Sequence, residues 1–209
     1  MPITTLPHAT ETSRPNGAGD TAKAVVAQRV IVLLDRLGRL TRELQFANGL
    51  NPAQWEALRF IAQANKFSRT PTALAEYLGA TKGTVSQTLI ALENKGLITR
   101  CKKTEDRRQV ELCLTAEGQT MLGNDPMQTL ERASTEIADE LGAEMVKGLT
   151  RLLHDLQTRH QVADFGVCQD CSLFCVNAQS LDTGVCGNNG DSIDAVEKTK
   201  ICVNYKTTN

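Results

Sequence analysis

LAEYLGATKGTVSQTLIALENKGLITR (74–100), followed after CKKT by EDRRQVELCLTAEGQTML (105–122), carries the punctuation of two short helices and a hairpin. Thr70 or Thr72 can cap a brief helix with Leu74, Ala75 and Leu78 inward, and Gly79 stops it because glycine accepts the left-handed turn after a helix. Thr81 then caps a second helix running to about Lys95, with Val85, Leu89 and Leu92 inward and Lys82, Thr84, Ser86, Gln87 and Thr88 outward. Gly96 ends it. LITRCKK (97–103) and VELCLT (110–115) alternate like strands around the polar turn TEDRRQ (104–109). A hairpin attached to a helix-turn-helix is a wing, so the expected fold is mainly α: a winged helix-turn-helix with a two-stranded β-wing.

Upstream, Asn51-Pro52 is an N-cap followed by proline in the first turn of a helix bearing Trp55, Leu58 and Ile61 on one face, closed by a loop from Asn65 to Arg69. Further out, Val26, Val30, Leu33, Leu37, Leu40 and Leu44 recur at helical spacing from about Asp20 to Asn48-Gly49. Past Asn124-Asp125-Pro126, Leu130, Ile137, Leu141, Met145, Leu149, Leu152, Leu153 and Leu156 mark another long helix. Apolar stripes at both ends of a DNA reader are what a dimer interface needs, and a palindrome needs two heads. Residues 1–19, rich in Thr, Pro, Gly and Asn without apolar periodicity, read as a disordered arm. The expected division is an arm (1–19), a winged-helix dimer module (20–160, DNA-binding core 52–122) and a tail (161–209).

The outward face of the second helix offers short hydrogen-bonding side chains near its N-terminus, where base edges are reached and the helix dipole favours phosphate. The wing strengthens that reading. Residues 52–122 resemble the winged-helix core of the MarR family of bacterial transcription regulators, through the two quoted segments. Asp106-Arg107-Arg108 matches the family's Asp-x-Arg wing motif, and Leu114-Thr115-Ala116-Glu117-Gly118 its Leu-Thr-x-x-Gly helix start. The resemblance implies a homodimer on a palindromic double-stranded operator, with recognition helices in major grooves, wings in minor grooves, and first and last helices interlocked between subunits. It also implies that Arg108 is the minor-groove arginine and Asp106 the carboxylate that holds it; a narrow minor groove concentrates negative potential. The candidate DNA-binding residues are therefore Thr81, Lys82, Thr84, Ser86, Gln87, Arg100, Lys102, Asp106, Arg107 and Arg108, with Lys95 and Lys103 as further phosphate contacts.

The chain has 209 residues, 41% of them hydrophobic, enough for one ordinary core plus extensions. With a net charge of −1, nucleic-acid binding must come from a local basic patch, and 4% aromatics argues against base-stacking readers of single strands. Neither a membrane span nor a basic, apolar secretory start is seen, so a cytoplasmic location is expected. In that reducing compartment seven cysteines favour metal binding or redox sensing over structural disulfides.

Four of them, Cys168, Cys171, Cys186 and Cys202, lie in a tail with no sustained periodicity. Cys168 and Cys171 form a C-x-x-C pair, the other two arrive singly, and Cys175 is a substitute ligand. Phe165, Val167, Phe174 and Ile201 would exclude water, while Gly166, Gly184 and Gly187 would let backbone amides approach sulfur. Three readings stay open: an iron-sulfur cluster of undetermined type, structural zinc, and a thiol switch. Ordering of the tail is expected to dock it on the partner subunit. Cys101 and Cys113, on opposite wing strands, read as packing residues, and His154 and His160 as solvated or capping groups. The resulting expectation is a repressor, not an enzyme, whose DNA affinity follows the cluster or redox state of its tail. The alternative is a MarR-like repressor released by a small aromatic ligand, with zinc in the tail.

Overall fold

The computed structural model describes residues 18–102, 110–177 and 180–207. The expected arm lies outside these except at its end, because α1 (Ala18–Leu44) begins two residues before Asp20. Helix α1 accounts for the described part of the first of two compact units, 1–43; the second spans 44–209. Val26, Val30, Leu33, Leu37 and Leu40 of α1 are exposed, and an Asp35–Arg39 ion pair of 3.1 Å braces its surface. No described helix is long and apolar enough to cross a membrane.

The second unit opens on the expected cap. Asn51 accepts from the Gln54 amide at 3.0 Å while Gln54 Oε1 accepts from the Asn51 amide at 3.2 Å, a reciprocal box that starts α2 (Pro52–Gln63). Thr70, not Thr72, caps α3 (Pro71–Tyr77), since proline at the first turn needs no donor partner. Thr81 caps α4 (Lys82–Asn94), and Gly79 between the two helices has φ +58°. The wing strands β1 (Ile98–Lys102) and β2 (Val110–Leu114) pair antiparallel from Ile98↔Leu114 to Lys102↔Val110. Thr115 caps α5 (Ala116–Leu122), which leads into α6 (Gln128–His160).

One core joins these elements. Trp55, Leu58 and Phe60 of α2, Leu74 of α3, Val85, Leu89 and Leu92 of α4, and Ile98 and Leu112 of the wing are all buried. At about 25 cal/mol per Å² of apolar surface, these side chains supply the principal stabilisation of the module. Arg59 ties α2 to the loop before α6 through Asp125, 3.0 Å away, and also donates to Gln45.

The tail is not irregular. It contains β3 (Gly166–Val167), a 3-10 turn at Cys168–Asp170, β4 (Phe174–Asn177), β5 (Ser180–Cys186), β6 (Ser192–Ile193), a second 3-10 turn at Glu197–Thr199, and β7 (Ile201–Cys202). Strand β3 pairs with β7, and β4, β5 and β6 form a separate antiparallel sheet. Strands of two residues, as β3, β6 and β7 are, carry too few to show a period. The tail is seated on its own chain. Ala64, just past α2, bridges to Ile201, the Asn65 amide donates to the Ile201 carbonyl at 2.9 Å, and Ile201 and Val203 pack on the winged-helix core of the same chain.

Gly118 tests the fit between wing and α5. A Cβ at this position would collide with the Leu97 carbonyl, which is held by the Thr115 amide at 3.1 Å. Gly118→Ala is therefore expected to cost about 1–3 kcal/mol, read as a lower urea midpoint with an unchanged slope.

Candidate nucleic-acid interface and thiol cluster

On α4, Thr84 and Gln87 are exposed on the sides away from the buried Val85, Leu89 and Leu92, Lys82 is exposed at the first residue of the helix, and Ser86 and Thr88 are half-buried between them. Thr81 Oγ1 accepts from the Thr84 amide at 3.1 Å and lies 2.9 Å from Thr84 Oγ1, so these hydroxyls also hold the cap. The side chains of Lys82 and Gln87 are left in solvent. That is the geometry of a helix free to enter a groove.

The basic residues divide into two sets. Arg100 Nε contacts Glu93 of α4 at 3.0 Å, which fixes the angle between wing and α4 and neutralises part of its charge. Lys95 Nζ donates to the Gly49 carbonyl at 2.9 Å and so braces a loop, a role different from the expected phosphate contact. Arg69 joins the segment after α2 to the wing through Glu111 at 2.9 Å. Lys102 ends β1, and Lys103, Asp106, Arg107 and Arg108 of the wing turn lie outside the described residues.

In the wing, Thr99 pairs with Cys113 and Cys101 with Glu111, so the two cysteines are diagonal neighbours on one face. Cys101 is exposed, unlike the packing residue expected. Burial, followed by a hydrogen bond with Cys101, pushes the Cys113 thiol up to about 11.

The tail brings Cys168 and Cys202 together in a small apolar cluster with Ile193, against which Cys186, Phe174, Tyr205 and Phe67 pack. Cys171 follows Cys168 across the 3-10 turn, its amide donating to the Cys168 carbonyl at 3.1 Å and its sulfur accepting from the Lys206 amide at 3.4 Å. Phe174 pairs with Cys186 and Cys175 with Val185, so strand alternation turns the exposed Cys175 to the opposite face from Cys186. That placement removes the reason to count it as a substitute ligand. The glycines also work differently from expectation. A Cβ on Gly166 would strike the Tyr205 ring, on Gly184 the Phe174 ring, and on Gly187 the Leu173 carbonyl; the amides that reach sulfur belong to Asn204 and Lys206.

Sequence reasoning missed the other wall of this cluster. Asn65 and Ser68, taken as loop residues, are fully buried. Asn65 Nδ2 donates to Cys168 Sγ at 3.4 Å, and Asn65 and Ser68 are among the groups that lower the Cys202 thiol. The Asn-x-x-Ser spacing after a helix was the available signal for a side-chain-closed turn. Hydrogen bonding from Cys168, against the effect of burial and helped by Asn65, brings Cys202 down to about 6, while the same bond and burial raise Cys168. Among the described residues no three His, Cys, Asp or Glu side chains are gathered as metal ligands. The described geometry brings two sulfurs, Cys168 and Cys202, together in an apolar setting with Cys186 packed beside them, fewer than the four ligands a cluster or structural zinc takes.

Residues 48–109 match the model of the MarR family. The chain is 32% identical over 74 residues to the HTH-type transcriptional repressor YetL of Bacillus subtilis, an overlap of 35% of this chain and 44% of that one. It thus spans under half the length of that relative. It is 27% identical over 108 residues to the homoprotocatechuate degradative operon repressor of Escherichia coli, covering 52% of this chain and 71% of the other. Among solved structures, a MarR/EmrR family transcriptional regulator from Acinetobacter sp. ADP1 superposes with TM-score 0.51 at 21% identity, over 66% of this chain and 96% of that one. The S. aureus MepR–DNA complex does so with TM-score 0.50 at 22% identity, over 63% and 96%. These two show the fold alone. The likeness to the MarR family thus lies in the winged-helix segment.

Thiol accessibility follows from burial. In native, reduced protein, iodoacetamide should label Cys101 and Cys175 first and Cys168 and Cys202 last, as ordered by peptide mass spectrometry over time.

Proposed function

We propose that this protein is a DNA-binding transcription repressor, a homodimer on a palindromic operator, whose grip on DNA is set by an iron-sulfur cluster or by the redox state of its C-terminal cysteines. The observation that carries the DNA-binding part is the exposed polar face of α4, capped at Thr81 and backed by a continuous core. Thr81, Lys82, Thr84, Ser86 and Gln87 are the groups to meet base edges and phosphates, with Arg100 and Lys102 supporting from the wing. Asp106, Arg107 and Arg108 take the minor-groove role that the family resemblance gives them. The names of the relatives favour repression. Exposed apolar residues on α6, among them Ile137, Leu141, Leu149 and Leu156, support a second copy as their cover, as do those of α1.

Cys168, Cys171, Cys186 and Cys202 are the residues to hold the group. When bound, an iron-sulfur cluster supplies a redox state, whereas zinc would supply only a structural cross-link. The protein's own contribution is to exclude water with Phe174, Ile193 and Tyr205 and to direct N–H groups at sulfur. A second reading, release by a small aromatic ligand with zinc in the tail, is favoured by an open cleft of about 770 Å³ between α5 and the start of α6, lined by Leu97, Met121, Glu117 and Arg132.

Protein purified without oxygen, analysed for metal and passed over genomic DNA fragments, tests the proposal. The expected result is a dimer with iron and acid-labile sulfide that retains specific fragments, with Cys171→Ala losing the metal and shifting fragment affinity. A monomer with no preference over bulk DNA would overturn the DNA-binding reading; metal loss with unchanged affinity would overturn the coupling. On a retained fragment, Lys82→Ala should lower the slope of log affinity against log salt by about 0.9 if the lysine meets a phosphate.

A further inference from the structure

The outer face of the wing holds two thiols that neither the DNA-binding residues nor the tail employs. Arg100 pairs across the hairpin with the fully buried Leu112, so strand alternation puts Thr99, Cys101, Glu111 and Cys113 on the face turned away from Leu112. Within that face Cys101 stands diagonal to Cys113, whose direct partner is Thr99. The Thr99 hydroxyl lies 3.8 Å from Cys101 Sγ, so the Cys101 side chain leans back along β1 toward the position that Cys113 faces. A hydrogen bond between the two thiols is among the causes that raise Cys113, which puts the sulfurs within reach of each other.

The two strands are not equally free to move. Strand β2 is anchored: Leu112 is buried, its amide donates to the Arg69 carbonyl at 2.8 Å, and Glu111 holds the Arg69 guanidinium at 2.9 Å. Cys101 lies one residue from the end of β1, past the Arg100–Glu93 contact that ties this strand to α4. Diagonal neighbours stand about 7–8 Å apart, at the outer limit of what a disulfide spans. Joining the sulfurs therefore draws the end of β1 across toward β2 and changes the twist of the hairpin. A bond closed against such resistance is also readily reduced.

We propose that Cys101 and Cys113 are an oxidation site for hydroperoxides, separate from the tail and built into the wing itself, whose disulfide reshapes the hairpin and weakens its hold on DNA. The effect on DNA rests on the reading that the wing meets DNA; the oxidation site does not. Cys101, exposed, is the sulfur that a hydroperoxide meets first. Its attack forms an S–O bond as the O–O bond breaks, which leaves a sulfenic acid on Cys101 and releases an alcohol, or water from hydrogen peroxide. The Cys113 sulfur then displaces the hydroxyl, and the Cys113 proton leaves with it as water. Two thiols and one hydroperoxide thus yield one disulfide, one alcohol and one water. Burial keeps Cys113 protonated and only half accessible, which suits it to the second step and not the first.

Full-length protein, reduced and then treated with hydrogen peroxide, tests this by peptide mass spectrometry under non-reducing conditions and by binding to a genomic fragment that the reduced protein selects. The expected product links Cys101 to Cys113 and holds the fragment about tenfold more weakly, and dithiothreitol reverses both changes. Cys113→Ser should instead leave a dimedone-reactive sulfenic acid on Cys101, and Cys101→Ser should bind the fragment equally before and after peroxide. Peptide mapping of the wild-type chain needs no variant to fold: linkages confined to the tail cysteines would overturn the proposal. So would a loss of affinity that persists in Cys101→Ser. A Cys101–Cys113 linkage with unchanged fragment affinity would overturn the control of DNA binding by the wing thiols. A protein that selects no fragment would end the DNA-binding reading, and the linkage alone then decides whether the oxidation site stands.

Discussion

A buried carboxamide must satisfy both of its ends, and Asn65 does so by facing two parts of the molecule at once. Its oxygen closes the turn from α2 to α3, and its nitrogen meets the sulfur of Cys168. Neither side can release the residue without leaving buried donors or acceptors unpaired, a penalty of about 1–3 kcal/mol for each group. The helix-turn-helix and the tail therefore settle in one arrangement. Ala64, Ile201 and Val203 extend the same contact into the core, where the apolar surface is continuous from α2 to β7.

How far the chain could be read from its letters varies along its length. Asn51, Thr81 and Thr115 cap helices as their neighbours foretell, because capping depends on a side chain and amides three residues apart. The wing strands, five residues each, alternate long enough to show their period. Strands of two residues such as β3, β6 and β7 show none; they form by pairing, β3 with β7 and β6 with β5, and their seat on the α2–α3 turn rests on contacts as distant in sequence as Asn65–Cys168. Cysteine spacing indicated which side chains hold sulfur but not which strand face each occupies. That is why Cys175 entered the candidate ligands and Asn65 did not.

Electrostatics in the head follows a similar division between structure and contact. Glu93 and Glu111 each hold an arginine of the wing or its support, at 3.0 and 2.9 Å, and so stiffen the hairpin against α4 and the α2–α3 segment. Partly exposed pairs of this kind contribute little stability, about 0–1 kcal/mol, but they restrict where a guanidinium can point. Lys82 and Gln87 are exposed on α4, and that is where a polyanion would find polar groups not committed to the fold.

Ile201 and Val203 give the tail one further property. Because they complete a core that belongs to the winged helix, the cysteine segment is not a portable cassette. Fused behind a different winged helix, it would bring its sulfurs but lack its floor, unless the host offered a turn like Asn65-Lys66-Phe67-Ser68 beside an apolar strip. Its history and its engineering are thus bound to one particular head.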